Sequence, residues 1–202
     1  MKEDEKVLVV PSEIIFKDGG WQGIKTDNLD YYLELIKNNY QFRKRGEVED
    51  DPSFQQIIPY ILFGFEDKFF LYKYIKEASE KRLLNTYQLG VGGHINLIDA
   101  EKGDFLEAAA TREWLEEINY KGNILEKKLV GILNDEARPV EKVHLGLVYH
   151  FIGDRPEISV KETEKLKGEL ISLDKLGDFL KNLTVGWAPI VYREYLAKIK
   201  IA

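Results

Sequence analysis

Residues 112–117 read Arg-Glu-Trp-Leu-Glu-Glu, one arginine and three carboxylates within six positions of a 202-residue chain. On a helix, Glu113, Glu116 and Glu117 fall at i, i+3 and i+4 and share one face. Like charges at those spacings repel, so folding alone gives no reason for the arrangement. A divalent cation that prefers oxygen ligands, such as magnesium, turns the repulsion into attraction. With coordination positions left open or filled by water, it can hold phosphate and activate a water molecule. A solvated charged face is the alternative, and it would carry lysines four residues beyond the acids; only Lys121, after Glu117, fits. The remaining helix positions are mostly apolar, among them Phe105, Leu106, Ala109, Trp114, Leu115 and Ile118. A helix apolar on most sides is largely buried, and buried acids need a partner.

The stretch from Gly92 to Tyr120 resembles the Nudix box, the signature of hydrolases that cleave nucleoside diphosphates linked to another moiety. The family pattern is Gly, five residues, Glu, seven residues, then Arg-Glu-hydrophobic-x-Glu-Glu-x-Gly-hydrophobic. Here Asp104 is followed by seven residues and then by Arg112, Glu113, Trp114, Leu115, Glu116, Glu117, Ile118, Asn119 and Tyr120. Three departures stand out. Asp104 replaces the family Glu, Asn119 replaces the family Gly, and ten residues rather than five separate Gly93 from Asp104. Asn is the next-best residue for a left-handed helix end, so Asn119 is expected to terminate the helix as Gly would. The insertion falls in the polar run Asn96–Gly103, where added loop length costs little. Asp99 fits the count forward from Gly93 and Asp104 the count back from Arg112; Asp104 is favoured. Asp104 and Glu107 also form a capping-box pattern, so a purely structural role for Asp104 weighs equally.

The resemblance implies site roles. Glu116 and Glu117 would be the first metal ligands, and Glu113 a ligand or the base that accepts a proton from water. Arg112 would orient the glutamates and offset their charge. A backbone carbonyl of Gly92 or Gly93 would complete the metal site, and the small residues would let a ligand approach the backbone. Some relatives place a base on a loop after the box, which makes Glu162 and Glu164 candidates; a Lys/Glu-rich loop is more often simply solvated. The cofactor implied is magnesium, with manganese as the alternative. The relatives include isopentenyl diphosphate isomerases known for a catalytic cysteine, which this cysteine-free chain cannot supply. The absence of cysteine also excludes disulfides and thiolate metal sites.

Other chemistry-bearing residues are weaker candidates. His144 and His150 share one face of a predicted strand, and His94 follows the double glycine, but their spacing makes no zinc motif. Trp114 and Trp187 read as core. Trp21, within Gly-Gly-Trp-Gln-Gly, lies in an exposed-looking segment and is the aromatic suited to a ligand or partner.

Hydrophobic residues make up 44% and charged residues 32%, the profile of an ordinary globular protein. A net charge of −6 and a pI near 5.3 argue against broad binding to nucleic acid or an anionic membrane. The apolar run before Pro11 is too short for a secretory signal, and no segment approaches membrane-spanning length. The expected location is therefore cytoplasmic.

Short strands are expected at Val7–Val10 and Ile14–Phe16, and an amphipathic helix at Asp27–Asn38. The polar stretch Gln41–Ser53 reads as a surface loop and the best candidate boundary. Strands follow at Ile57–Phe65 and Phe69–Tyr74, a loop or helical turn at Glu77–Leu84, and a strand at Tyr87–Ile95 leading to the helix Asp104–Ile118. Further strands are expected at Lys128–Leu133, Val143–Ile152 and Glu169–Ser172, with helices at Asp174–Leu183 and Trp187–Ile199. Strands followed by packed helices fit an α/β class. The resemblance sharpens this to a Nudix-type α/β/α sandwich with a mixed β-sheet over residues 55–202. Residues 1–54 are an N-terminal extension that could cover a sheet edge, close the site or build a homodimer contact.

The activity implied is MutT-like, magnesium-dependent pyrophosphatase chemistry on the diphosphate linkage of a nucleotide derivative or related phosphorylated small molecule. Two alternatives remain at this stage: a Nudix domain that senses nucleotide without cleaving it, and a metal-dependent phosphomonoesterase.

Overall fold

The computed structural model describes residues 2–75, 87–183 and 186–199. A 3-10 turn at Lys2–Asp4 leads into β1 (Lys6–Pro11), α1 (Ser12–Ile15), β2 (Gly23–Lys25), α2 (Leu29–Asn39), β3 (Gln41–Lys44), α3 (Arg45–Val48), β4 (Phe54–Phe65) and β5 (Lys68–Tyr74). The chain continues through β6 (Tyr87–Gln88), β7 (Gly90–Gly92), α4 (Leu97–Ala100), α5 (Phe105–Glu117), β8 (Ile118–Tyr120), β9 (Ile124–Asn134) and β10 (His144–Gly153). It closes with β11 (Ile158–Val160), β12 (Leu166–Ser172), α6 (Leu173–Leu180), α7 (Trp187–Glu194) and a 3-10 turn at Leu196–Lys198. Together these make the mixed β-sheet with flanking helices that the sequence predicts.

Several local expectations change. Ile14 and Ile15 lie in the single turn α1, because Ser12 starts a helix there and its carbonyl accepts from the Phe16 amide at 2.9 Å. The polar stretch after Tyr40 is not a loop. Its first residues form β3, whose backbone groups are taken up by β1 while its charged side chains face water. The insertion holds α4, whose start is tied by Asp99 accepting from the Asn96 amide. Asn119 lies within β8, and among the described residues only Asn28 and Glu66 are non-glycines with positive φ. The segment Glu77–Leu84 lies outside the described residues.

The chain divides into two compact units. The first holds Met1–Tyr60, Gly93–Thr111 and Val130–Val148; the second holds Ile61–Gly92, Arg112–Leu129 and Tyr149–Ala202. Strands β4, β9 and β10 and helix α5 contribute residues to both.

In the first unit β1 pairs antiparallel with β3, from Lys6↔Lys44 to Val9↔Gln41, and with the start of β4, Val9↔Gln56 to Pro11↔Phe54. Strand β2 pairs with the end of β9, Gly23↔Asn134 to Lys25↔Ile132. Val7, Leu8, Val9 and Val10 are all fully buried, so the N-terminal segment supplies core. Helix α2 reaches the start of α5: the rings of Tyr40 and Phe105 lie 4.8 Å apart, and Lys37 Nζ lies 2.9 Å from Asp104 Oδ2.

In the second unit β12 pairs with β5 along seven residues, Leu166↔Tyr74 to Ser172↔Lys68. The β4–β5 hairpin turns through Glu66, whose φ of 53° is the left-handed geometry such a turn needs. Strands β8 and β11 form a separate ladder, Val160↔Ile118 to Ile158↔Tyr120. Trp114, 5% exposed, anchors this unit. Its ring stacks on Phe63 at 5.4 Å and meets Phe151 at 5.6 Å and Tyr120 at 6.1 Å.

Candidate active site

Helix α5 starts from an acid cap. Asp104 Oδ1 accepts from the backbone N–H groups of Leu106 and Glu107 at 3.1 and 3.2 Å, satisfying two of the open donors of the first turn. Burial pushes the Asp104 carboxyl pKa up. The Lys37 ammonium and the two amides outweigh that, holding it below its ordinary value. Asp99, inside the first turn of α4, reaches back instead, its Oδ2 accepting from the Asn96 amide at 2.8 Å. Both acids that could stand for the box glutamate are thus engaged at helix starts.

Arg112, Glu113, Glu116 and Glu117 all lie in the second unit. Arg112 Nη1 donates to Glu113 Oε1 at 2.6 Å and to Glu116 Oε2 at 3.1 Å, so one guanidinium ties two of the three carboxylates. Glu113 is 7% exposed. Burial raises its pKa, Arg112 opposes, and the charges of Glu116 and Glu117 add to the rise. Glu117 is exposed, and its pKa is also raised, first by desolvation, then by Glu162 and Glu116, with Lys161 opposing.

Glu162 follows Lys161, whose amide donates to the Glu117 carbonyl at 2.8 Å, and its charge bears on Glu117. It sits just after β11, and Lys165 Nζ lies 3.0 Å from its Oε1. Glu164 is exposed, and its charge bears on Lys165. Gly92 ends β7 in the second unit, and Gly93 opens a segment of the first.

The other sequence candidates have internal partners. His94 Nε2 lies 2.9 Å from Gln56 Oε1, and its ring centre lies 5.6 Å from that of His144. His144 Nδ1 meets the Val140 carbonyl, and burial lowers its pKa. His150 Nδ1 lies 3.0 Å from the Tyr195 hydroxyl; burial and then Lys128 push its pKa down to about 4. Trp21 donates its indole N–H to the Ile132 carbonyl at 3.3 Å and packs edge-on against Phe16 and Tyr32, which makes it a brace of the first unit.

Two features escaped the sequence. One is Lys161, whose amide and ammonium both bond the end of α5. The other is Asp154, which accepts from the Asn123 amide at 2.8 Å, from Asn123 Nδ2 at 2.9 Å and from the Tyr120 hydroxyl at 3.1 Å. These bonds hold its carboxyl pKa far below the usual range, the Asn123 side chain leading. The first depends on the β8–β11 pairing, whose strands of three residues carry no periodicity to read.

The donor set suits a hard divalent cation. Three carboxylates crowd one helix face, and the buried Glu113 carries a raised pKa to which its like-charged neighbours contribute. As oriented, Glu113 and Glu116 turn onto Arg112, and among the described residues no three acids or histidines are already grouped around a cation position.

No protein-family model matches the sequence. The chain is 32% identical over 201 residues to Protein YmaB of Bacillus subtilis (strain 168), covering 94% of this chain and 97% of that protein. Its structure matches that of Tm1382, classed as a Nudix hydrolase, with a TM-score of 0.82 and 29% identity over 96% of this chain and 99% of the other. MutT from Aliivibrio salmonicida and Vibrio cholerae matches with a TM-score of 0.50 and 14% identity over 72% of this chain and 99% of the other. A Nudix hydrolase from Nitrosomonas europaea matches with a TM-score of 0.50 and 16% identity, over 71% and 89%. The last two share the fold with this chain.

Proposed function

We infer that this chain, which belongs to the Nudix hydrolase family, hydrolyses the diphosphate linkage of a nucleoside diphosphate derivative or related phosphorylated small molecule. The observation that carries this is the end of α5, which sets Glu113, Glu116 and Glu117 near Arg112 and is bonded to the segment that bears a fourth acid, Glu162. Glu113 and Glu117, whose pKa values are raised by desolvation and then by neighbouring acids, are unfavourable for folding and favourable for holding a cation.

In this reading Glu113, Glu116 and Glu117 would hold magnesium, with manganese as the substitute, and the Gly92 carbonyl would contribute. The bound ion supplies charge neutralisation at the phosphoryl oxygens and a water of lowered pKa. The protein's own residues do the rest. Arg112 holds Glu113 and Glu116 by hydrogen bonds and offsets their charge. Glu113 serves either as a ligand or as the base that accepts a proton from the attacking water. Glu162 is the second candidate base, and its bearing on Glu117 ranks it above Glu164. Residues 1–54 are an extension packed on a catalytic domain of residues 55–202, and the protein works as a cytoplasmic homodimer.

The test is a magnesium-dependent hydrolysis panel over nucleoside triphosphates, ADP-ribose-like compounds and dinucleotide polyphosphates, running wild type beside Glu117→Gln. Turnover by wild type that falls about 100-fold in the variant supports the proposal. Equal turnover by both overturns the metal assignment. Saturable nucleotide binding with no turnover would favour a sensor, and direct release of inorganic phosphate a phosphomonoesterase.

A further inference from the structure

Helix α5 ends without the left-handed residue that usually closes a helix, because Asn119 is already paired with Ser159 in β8. The last carbonyls of the helix therefore need donors from elsewhere. One residue brings two. The Lys161 amide donates to the Glu117 carbonyl at 2.8 Å, and the Lys161 ammonium donates to the Leu115 carbonyl. A cation at this end also complements the helix dipole.

Lys161 is bound on both sides in sequence. Before it, β11 is locked to β8, and at the far end of that ladder the Lys121 amide donates to the Glu157 carbonyl at 3.2 Å. After it the chain turns: the Thr163 amide donates to the Lys161 carbonyl at 2.9 Å. The Lys165 and Leu166 amides both donate to the Glu162 carbonyl, at 3.0 and 2.9 Å. Glu162 is thus the first residue of a tight turn whose entry is pinned to the helix that carries the box.

We propose that Lys161 is a positioning residue that caps the C-terminal turn of α5 from a neighbouring segment and so holds Glu162 beside Glu117. It takes over the closing task of the glycine that this chain lacks and joins the helix end to the loop bearing a fourth carboxylate. The functional half of this assignment rests on the box acids forming a divalent-cation site; the capping half does not.

The experiment separates the two. Lys161→Met keeps the length of the side chain and removes its charge and donors, whereas Lys161→Arg keeps both. Amide hydrogen exchange, run without metal, should quicken about fivefold at residues 115–121 and 158–165 in Lys161→Met, the scale of one lost helix cap. It should stay near wild type in Lys161→Arg. Unchanged exchange in Lys161→Met would overturn the cap.

Manganese affinity, followed by electron paramagnetic resonance, is then measured for wild type, Glu162→Gln, Lys161→Met and the double variant. Glu162→Gln should weaken binding about tenfold in the wild-type background and less than about twofold in the Lys161→Met background. The missing Lys161 charge acts in both arms of that cycle and cancels. Equal losses in the two backgrounds, or no loss in wild type, would overturn the positioning role. If wild-type protein binds no manganese, the metal assignment itself fails, while the exchange data still decide the cap.

Discussion

Replacing Arg112 by methionine would reveal how strongly the box carboxylates repel one another. The change keeps much of the aliphatic stem and removes the guanidinium that lies 2.6 Å from Glu113 and 3.1 Å from Glu116. The side chains of Arg112 and Glu113 are 19% and 9% exposed, whereas that of Glu116 is 56% exposed. Unit charges about 4 Å apart at an effective dielectric of about 20 attract by about 4 kcal/mol. Residual water around Arg112 reduces the Glu113 share to about 3 kcal/mol, and the exposed Glu116 adds only about 0.3 kcal/mol. The loss depends on pH. Burial already raises the Glu113 pKa and Arg112 opposes it, so the variant raises it further. A carboxyl with a raised pKa in the folded state binds its proton more tightly there than in the unfolded chain. Stability then falls as pH climbs from the ordinary carboxylate range through the raised value. Urea unfolding should therefore show a deficit of about 3 kcal/mol near pH 8 that shrinks to below about 1 kcal/mol near pH 4.5. Adding Glu113→Gln should recover most of it, because the stranded charge is then gone. A deficit equal at both pH values, or one that Glu113→Gln leaves intact, would refute the reasoning.

Three further outcomes follow from the same contacts. Trp114→Ala empties the space between Phe63, Tyr120 and Phe151 and should cost about 4 kcal/mol in denaturant unfolding. Gly153→Ala would set a methyl 2.3 Å from the Tyr120 hydroxyl and 2.5 Å from Phe63 Cζ, and should lower stability by about 2 kcal/mol in the same assay. Glu117 has a pKa raised by desolvation and then by Glu162 and Glu116, so its ionisation works against folding as pH rises through that value. Glu117→Gln should accordingly raise the melting temperature of the metal-free protein near pH 8 and leave it unchanged near pH 4, while abolishing any stabilisation by added magnesium.

The box helix was legible in outline because its pattern is dense. A capping acid, an apolar run and four charged residues at fixed spacing placed it at Asp104–Ile118, against an observed Phe105–Glu117. The long strands β4, β5, β9 and β10 were likewise visible from their apolar runs, with ends displaced by up to four residues. What could not be read depended on pairing. Strand β3 carries a polar sequence that reads as loop, and only its ladder with β1 makes it a strand. The pair Ile14–Ile15 fits one helical turn as well as a short strand. Asn119 looked like a helix-ending residue, yet β11 offers it a strand partner and Lys161 bonds the helix end in its place. At the candidate site, Arg112 and the three glutamates are legible from their spacing and from the family resemblance it carries. The nearness of Glu162 to Glu117 does not, since it comes from a ladder between residues about 40 apart in the chain.

The most direct test of the central claim is metal dependence measured residue by residue. Wild type, Glu113→Gln, Glu116→Gln and Glu117→Gln would each be assayed on the best diphosphate substrate, first stripped with chelator and then with magnesium restored. The account predicts that stripped wild type is inactive, that magnesium restores it, and that each variant recovers at most about one hundredth of the rate. Turnover that persists in chelator, or three variants that all recover like wild type, would contradict it.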